Sequence, residues 1–154
     1  MIYVFATLIG IVAGLRAMTA PAAVSWAAAL GWIDLSGTWA AFMGAAITPW
    51  IFTVLAIVEL VSDQLPNTPS RTVPMHFGAR IVTGAFSGAV LGLVGGSLVG
   101  GLIAGAVGAV IGTLGGAEFR TRLVAATGGK DRPIALLEDA IAIIGAALIV
   151  YFVI

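Results

Sequence analysis

The sequence has no cysteine, one histidine and few charges. Only 9% of its 154 residues are charged, and seven basic residues balance seven acidic ones. The absence of cysteine excludes disulfides, thiolate metal sites and cysteine nucleophiles, and a single histidine cannot form a paired-histidine metal motif. Because the chain has no excess of basic residues to attract the phosphate backbone of a nucleic acid, nucleic acid is also excluded as a partner.

Hydrophobic residues, in contrast, make up 60% of the chain, and its mean hydropathy is +1.14. Ordinary soluble domains carry about 25% charged residues, far more than this chain. A bilayer-spanning helix needs about 20 mostly apolar residues. We therefore predict an all-α, polytopic transmembrane helix bundle that forms a single integral membrane domain over residues 1–154.

Polar interruptions divide this domain into about five predicted spans. Residues 31–38 form a short polar turn, and Trp32 within it and Trp39 just after it are placed like an interfacial aromatic belt. Pro49 is expected to kink the second span. The predicted spans cover residues 2–31, 39–65, 78–94, 98–116 and 133–154.

The first predicted span is interrupted by LRAMTAP at residues 15–21. Arg16 lies about 20 Å along the helix, and a charge within the membrane is by default a functional-site hypothesis. Thr19 and Pro21 are typical of the N-cap and first turn of a second half-helix, whose backbone N–H groups would suit an anion. Alternatively, Arg16 pairs with an acidic residue of another helix and holds the bundle together.

A second polar cluster follows at the end of the second span. Glu59 and Asp63 are spaced i,i+4 and share one helix face, so they need a cation, an arginine or a shared proton between them. The loop at residues 66–77 contains three prolines, Asn67 and His76, and is predicted to be an extended connection or a re-entrant segment. Arg80 follows this loop.

Glycines recur every four residues in the next two predicted spans. The repeat is formed by Gly84, Gly88, Gly92, Gly96 and Gly100. This small-xxx-small pattern lets helix backbones approach closely. It predicts a tight hairpin with its turn near residues 95–101, and a homo-oligomer that forms through these two spans.

The second half of the chain contributes further acidic candidates. Glu118 lies in the basic block at residues 117–132, and Glu138 and Asp139 lie about 8 to 9 Å into the last span. Because Glu138 and Asp139 are adjacent, at most one of them is expected to face any given partner.

The basic residues also predict an orientation. They cluster between the second and third spans and between the fourth and fifth, so the positive-inside rule puts the N-terminus in the cytoplasm and the C-terminus outside the bacterial inner membrane. The candidate binding residues would then share an ionisable cavity open to the cytoplasm. They are Arg16, Thr19, Glu59, Asp63, Asn67, Arg80, Glu118, Glu138 and Asp139.

Three runs, GLRAMTAPAAV, ELVSDQLPNTPSR and ALLEDAIAI, together resemble a family of bacterial integral membrane proteins, domain-of-unknown-function family 4126. The resemblance covers most of the chain, with the motifs in family order. It implies a compact polytopic fold but no established activity. Family members often have lysine-isoleucine-proline where this chain has Gln64, Leu65 and Pro66. The motif positions are Arg16, Glu59, Asp63, Pro66, Glu138 and Asp139.

These observations favour a small transporter or channel for an ion or anionic solute, in which Arg16 holds an anionic group and the carboxylates exchange protons or bind a coupling cation. One alternative is a membrane-embedded enzyme for a phosphate or lipid headgroup, in which Glu59, Asp63 and Glu138 or Asp139 hold a divalent cation. The other is a non-catalytic scaffold whose charges form buried ion pairs.

Overall fold

The computed structural model describes residues 2–63, 74–126, 128 and 131–153. Seven helices lie in these residues, and the predicted all-α class is confirmed. The helices are α1 (Ile2–Leu15), α2 (Thr19–Ala29), a 3-10 helix (Trp39–Gly44), α3 (Thr48–Asp63), α4 (Pro74–Val94), α5 (Leu98–Ala126) and α6 (Asp131–Val153).

Three of the described helices are long and apolar enough to cross a membrane. The stretches concerned are Phe77–Val94, Leu98–Ala126 and Leu136–Val153, whereas the apolar helices Ile2–Leu15 and Thr48–Glu59 are shorter. These lengths and compositions fit a membrane-embedded protein. The predicted count of about five spans is not confirmed.

The α4–α5 hairpin forms where the glycines predict it. Gly96 lies in the turn with φ +77°, a left-handed conformation that glycine adopts without steric cost. α4 begins earlier than predicted, at Pro74, since proline is tolerated in the first turn of a helix; His76 therefore belongs to a helix and not to a loop. α5 continues past residue 116 to Ala126 because AEFRTRLVAA contains no helix breaker.

The second predicted span is not a single helix. The 3-10 helix ends at Gly44, and α3 begins at Thr48 with Pro49 as its second residue. Pro49 therefore starts a helix rather than kinking one, because the first turn has no intrahelical N–H bond for it to remove.

Contacts along α1 establish its direction in the bundle. The Tyr3 hydroxyl donates a hydrogen bond to Ser97 Oγ at 2.9 Å, at the start of α5. At the other end of α1, Thr113 Oγ1 donates to the carbonyl oxygen of Gly14 at 3.4 Å. α1 therefore runs parallel to α5 and antiparallel to α4.

α2 runs in the opposite direction from α1. Arg16, just before α2, contacts Asp139 near the start of α6, and Trp32, just after α2, packs edge-on against Tyr151 near the end of α6. α2 is thus parallel to α6, whereas α1 is antiparallel to it, with Gly145 facing Val12. The helix interruption predicted near Arg16 is present, but the chain reverses there, so α1 and α2 form a hairpin rather than one broken span.

This antiparallel order brings both ends of the chain to one end of the bundle. Ile2 lies against Gly95 in the α4–α5 turn, and Tyr151 lies beside Trp32 at the end of α2. The predicted localisation of the N-terminus in the cytoplasm and the C-terminus outside does not agree with this packing, because it requires the termini to lie at opposite ends.

The glycine face of α5 is buried between α1 and α4. A Cβ at Gly105 would overlap the carbonyl oxygen of Gly84 on α4, and one at Gly108 would overlap that of Thr7 on α1. The glycine-rich packing of α4 and α5 is therefore intramolecular, and this face of α5 is not open to a second copy. The homo-oligomer itself stays a prediction.

Candidate functional site

Arg16 lies at the reversal between α1 and α2 and is completely buried. Its Nε donates a hydrogen bond to Asp139 Oδ1 at 2.5 Å, and its Nη1 donates to Glu138 Oε1 at 3.2 Å. Nη1 also donates to the carbonyl oxygen of Leu15 at 2.8 Å. The guanidinium thus joins the end of α1 to the beginning of α6.

Both adjacent carboxylates of α6 contact this one guanidinium. The prediction that at most one of Glu138 and Asp139 would face a partner is wrong, because a guanidinium presents several donors in a planar fork and can reach two neighbours at once. Glu138 is 2% exposed and Asp139 is 8% exposed. Removal of the cation would take a buried charge partner from both acids, which is far costlier than loss of a surface pair.

Glu59 approaches the same reversal from the end of α3. Its Oε2 accepts a hydrogen bond from the backbone N–H of Ala17, and its Oε1 accepts one from Met18, both at 2.9 Å. The first N–H groups of a helix lack intrahelical partners, and the helix dipole favours an anion there. The anion site predicted at the start of α2 is therefore filled by a carboxylate of the chain itself.

Thr19 does not act as the N-cap of α2. The N-cap residue is Met18, it makes no side-chain capping bond, and Thr19 is the first helical residue. The Thr19 hydroxyl is buried and has no hydrogen-bond partner in the described part of the chain. Glu59, from another helix, instead accepts from the N–H groups of Ala17 and Met18, which directly precede the first helical residue.

Arg80, near the start of α4, extends the cluster on the side of Glu59. Its Nη1 lies 3.8 Å from Glu59 Oε2, and its side chain is 5% exposed. Two guanidinium groups and three carboxylates thus meet around residues 16–18. Arg80 and Glu138 each lie near the beginning of an apolar stretch, Phe77–Val94 and Leu136–Val153, so the cluster lies towards one end of the apolar bundle.

Three predicted site residues are not part of this described cluster. Glu118 accepts a hydrogen bond from Arg122 at 2.6 Å, and both side chains are exposed, at 63% and 79%. Such an exposed i,i+4 pair contributes only about 0.3–0.5 kcal/mol to the free energy of unfolding. Asp63 ends α3, but its side chain lies outside the described part, and Asn67 lies outside the described residues altogether.

The described residues offer no ready divalent-cation site. Among them, no group of three or more His, Asp or Glu side chains could hold a metal ion. The space between Glu138 and Asp139 that a cation would occupy is taken by the Arg16 guanidinium. The proposed metal-dependent enzyme thus has no complete ligand set in this part of the molecule.

The backbone amides of Ala17 and Met18 are the site groups that sequence reasoning did not single out by name. Their side chains carry no chemistry that marks them. The sequence indicates them only through the interruption at residues 15–21, because the first N–H groups of a helix that starts again there have no partner within the helix. Which acid would reach them depends on how α3 packs, and that is a tertiary property.

Comparison with known proteins identifies no relative from which a function can be transferred. No family model matches this chain, and neither a curated protein nor a solved structure matches it. The chemistry of the site is therefore argued from its own residues.

Proposed function

We propose that the protein is a small transporter or channel for an ion or small anionic solute, and that the reversal at residues 16–18 is its binding site. One observation carries the proposal: two backbone N–H groups hold the carboxylate of Glu59 beside a buried guanidinium. Amides at a helix start that bind one carboxylate are chemically suited to other small anions.

A solute could replace Glu59 without leaving its charge isolated. Arg80 lies 3.8 Å from Glu59 Oε2, whereas the two amides lie at 2.9 Å. A small movement of the carboxylate towards Arg80 would free the amides for an external anion. The solute would stabilise the arrangement in which Glu59 contacts Arg80, because only that arrangement leaves the amides free to bind it. Such a difference in affinity between two states is what shifts their populations.

The proposed site opens to the cytoplasm of a bacterium, and the protein is a multi-pass protein of the inner membrane. α5 runs from the Ser97 end of the bundle to the Arg16 end and carries Arg120 and Arg122 beyond it. The positive-inside rule favours the cytoplasm for that end. With antiparallel packing, both termini would then lie outside.

Membership in domain-of-unknown-function family 4126 is also part of the proposal. It rests on the three motif runs, and four of their charged positions meet in space. These four positions are Arg16, Glu59, Glu138 and Asp139. Because so small a bundle cannot enclose a wide pathway alone, we retain a homo-oligomer in the proposal, formed through faces other than the buried glycines of α5.

Anion flux into reconstituted vesicles tests this proposal. Vesicles that contain the wild-type protein should take up at least one of chloride, nitrate, phosphate and acetate faster than protein-free vesicles. Glu59→Gln should change that rate about tenfold or more, because the resident carboxylate is lost, whereas Glu118→Gln at an exposed position should not. Flux equal to that of empty vesicles for all four anions would contradict transport of small anions.

A non-catalytic scaffold is the second candidate. It is favoured by the pairing of Arg16 with two acids of α6, since these contacts alone would hold α1 against α6. A scaffold predicts that Arg16→Gln impairs folding while no anion crosses the membrane. Flux that depends on Glu59 in a folded protein would exclude a purely structural role.

A further inference from the structure

Two consecutive backbone amides in the turn before α2 bind one carboxylate through both of its oxygens. The N–H of Ala17 donates to Glu59 Oε2, and the N–H of Met18 donates to Glu59 Oε1, both at 2.9 Å. Each oxygen therefore has its own donor, as in the paired contact of a guanidinium with a carboxylate. This donor pair matches a flat anion whose two oxygens lie side by side.

Other small monovalent anions fit the same donor pair less well. A halide is a single sphere, so it cannot offer each N–H a separate acceptor in line with the N–H bond, and hydrogen bonds weaken as they depart from that line. Nitrate has a flat edge of two oxygens, but it is a far weaker base than a carboxylate and so a weaker acceptor. The contact geometry therefore favours carboxylates over halides and nitrate.

The charges around the amides favour a ligand with a single negative charge. Arg16 already contacts both Glu138 and Asp139, and Arg80 lies 3.8 Å from Glu59 Oε2. The described part of the cluster thus has three carboxylates for two guanidinium groups. Because uncompensated charge is costly at buried positions, a dianion such as hydrogen phosphate or a dicarboxylate is disfavoured.

Arg80 supplies a cation beside the amides, and the site is not sealed from its surroundings. The Arg80 side chain is 5% exposed, whereas that of Glu59 is 16% exposed, so the carboxylate position is open on one side. A guanidinium has five N–H donors. Arg80 can therefore pair with a displaced Glu59 and still lie close to a second carboxylate at the amides.

We propose that the solute of this site is a small monocarboxylate, which binds the amides of Ala17 and Met18 in place of the Glu59 carboxylate. The inference rests on the anion transport proposed above and specifies the class of anion. The ligand has the two oxygens, the flat shape and the single charge that the Glu59 carboxylate presents at this position.

Glu59→Ala tests the inference with acetate as the probe, because the substitution removes one methylene and the carboxylate, which together correspond to acetate. At equal ionic strength, acetate should raise the unfolding temperature of this variant by at least about 3 °C more than chloride, nitrate or phosphate does, since a ligand that binds the folded state stabilises it. Glu118→Ala, at an exposed position, is the matched control and should respond equally to all four anions.

Two results would overturn the assignment to carboxylates. One is an equal or larger shift of Glu59→Ala with nitrate, chloride or phosphate, and the other is the same acetate shift in Glu118→Ala. If Glu59→Ala does not fold without a ligand, the yield of folded protein purified in each salt replaces the unfolding temperature, and acetate should again give the highest value.

Flux into vesicles that contain the wild-type protein separates this inference from transport itself. After subtraction of the rate for protein-free vesicles, which removes passive entry of acetic acid, acetate should enter at least about threefold faster than chloride. Chloride flux without acetate flux would overturn the carboxylate assignment and support anion transport. Acetate stabilisation of Glu59→Ala without flux of any anion would contradict transport and support the carboxylate site.

Discussion

Glu59 accepts a hydrogen bond from the backbone N–H of Ala17 at 2.9 Å, although the two residues are 42 positions apart. Helix starts are usually capped by a side chain of the same segment. Here a side chain of α3 binds the turn just before α2, and its second oxygen accepts from the next amide, that of Met18. The α1–α2 reversal is therefore held by a charge from another helix, and we propose that a competing anion can replace it.

Loss of the buried cation should destabilise the bundle strongly. Arg16→Gln leaves Glu138 and Asp139 without their shared guanidinium, and removal of one partner of a buried pair costs about 3–5 kcal/mol. Denaturant unfolding in detergent measures the change. Arg122→Gln removes the exposed ion pair with Glu118 and should lower the free energy of unfolding by no more than about 0.5 kcal/mol. Equal losses in the two variants would contradict the buried network.

The glycine face should tolerate no side chain where it meets another helix. A Cβ at Gly105 overlaps backbone atoms of Gly84, whereas one at Gly115 on the same helix meets nothing within 4 Å. Gly105→Ala should therefore lower the free energy of unfolding by about 1–3 kcal/mol, because the added methyl group overpacks the helix contact. Gly115→Ala should be neutral or stabilise the protein by up to about 1 kcal/mol, because alanine favours the helix. The denaturant midpoints of unfolding of the two variants measure this difference. A Gly105→Ala protein as stable as Gly115→Ala would contradict the close packing of α5 against α4.

The two termini should lie on one side of the membrane. Ile2 contacts the α4–α5 turn, and Tyr151 lies at the corresponding end of α2. Reporters fused separately to the N-terminus and the C-terminus should both give a periplasmic signal. A control fusion in the basic segment after α5 should give a cytoplasmic one. Opposite signals from the two termini would contradict the antiparallel arrangement.

The turn after α2 contains an acid with a shifted pKa. Hydrogen bonds from the Ser36 hydroxyl and then from the Ser36 N–H lower the pKa of Asp34 below its ordinary value of 3.8. Because the pKa is lowered, this contact stabilises the turn above the ordinary pKa and is lost as the pH falls through the lowered one.

Ser36→Ala removes the hydroxyl but keeps the N–H donor. The pKa of Asp34 should therefore rise part of the way towards its ordinary value, as measured by NMR titration of the carboxyl carbon. Thr38→Val, in the same turn, should leave it unchanged, because the Thr38 hydroxyl bonds the Leu35 carbonyl oxygen instead. An unchanged pKa in Ser36→Ala would refute the contact.

Local sequence patterns predicted those features that depend on neighbouring residues. The α4–α5 turn required a left-handed residue and contains Gly96, and the start of α5 at Leu98 followed from it. The interruption at LRAMTAP followed from a charge and a proline within an apolar run. The predicted C-terminal end of α5, residue 116, was wrong because helical propensity continues into the basic block as far as Ala126.

Features that depend on how distant helices pack could not be predicted in this way. A helix break does not reveal whether the chain continues or reverses, and the reversal at Arg16 depends on the contact with Asp139 of α6. Repeated glycines show that a face is close-packed but not whether its partner is the same chain. The adjacency of Glu138 and Asp139 suggested divergent directions, whereas the fork of one guanidinium spans both.

The most direct test of the central claim is a thermal-unfolding comparison of wild type and Glu59→Gln with added chloride, nitrate, phosphate and acetate. If the amides of Ala17 and Met18 form an anion site occupied by Glu59, at least one anion should raise the unfolding temperature of Glu59→Gln more than that of wild type, because the competing carboxylate is gone. Glu118→Gln should respond like wild type. If no anion stabilises Glu59→Gln beyond wild type, the reversal is not an exchangeable anion site.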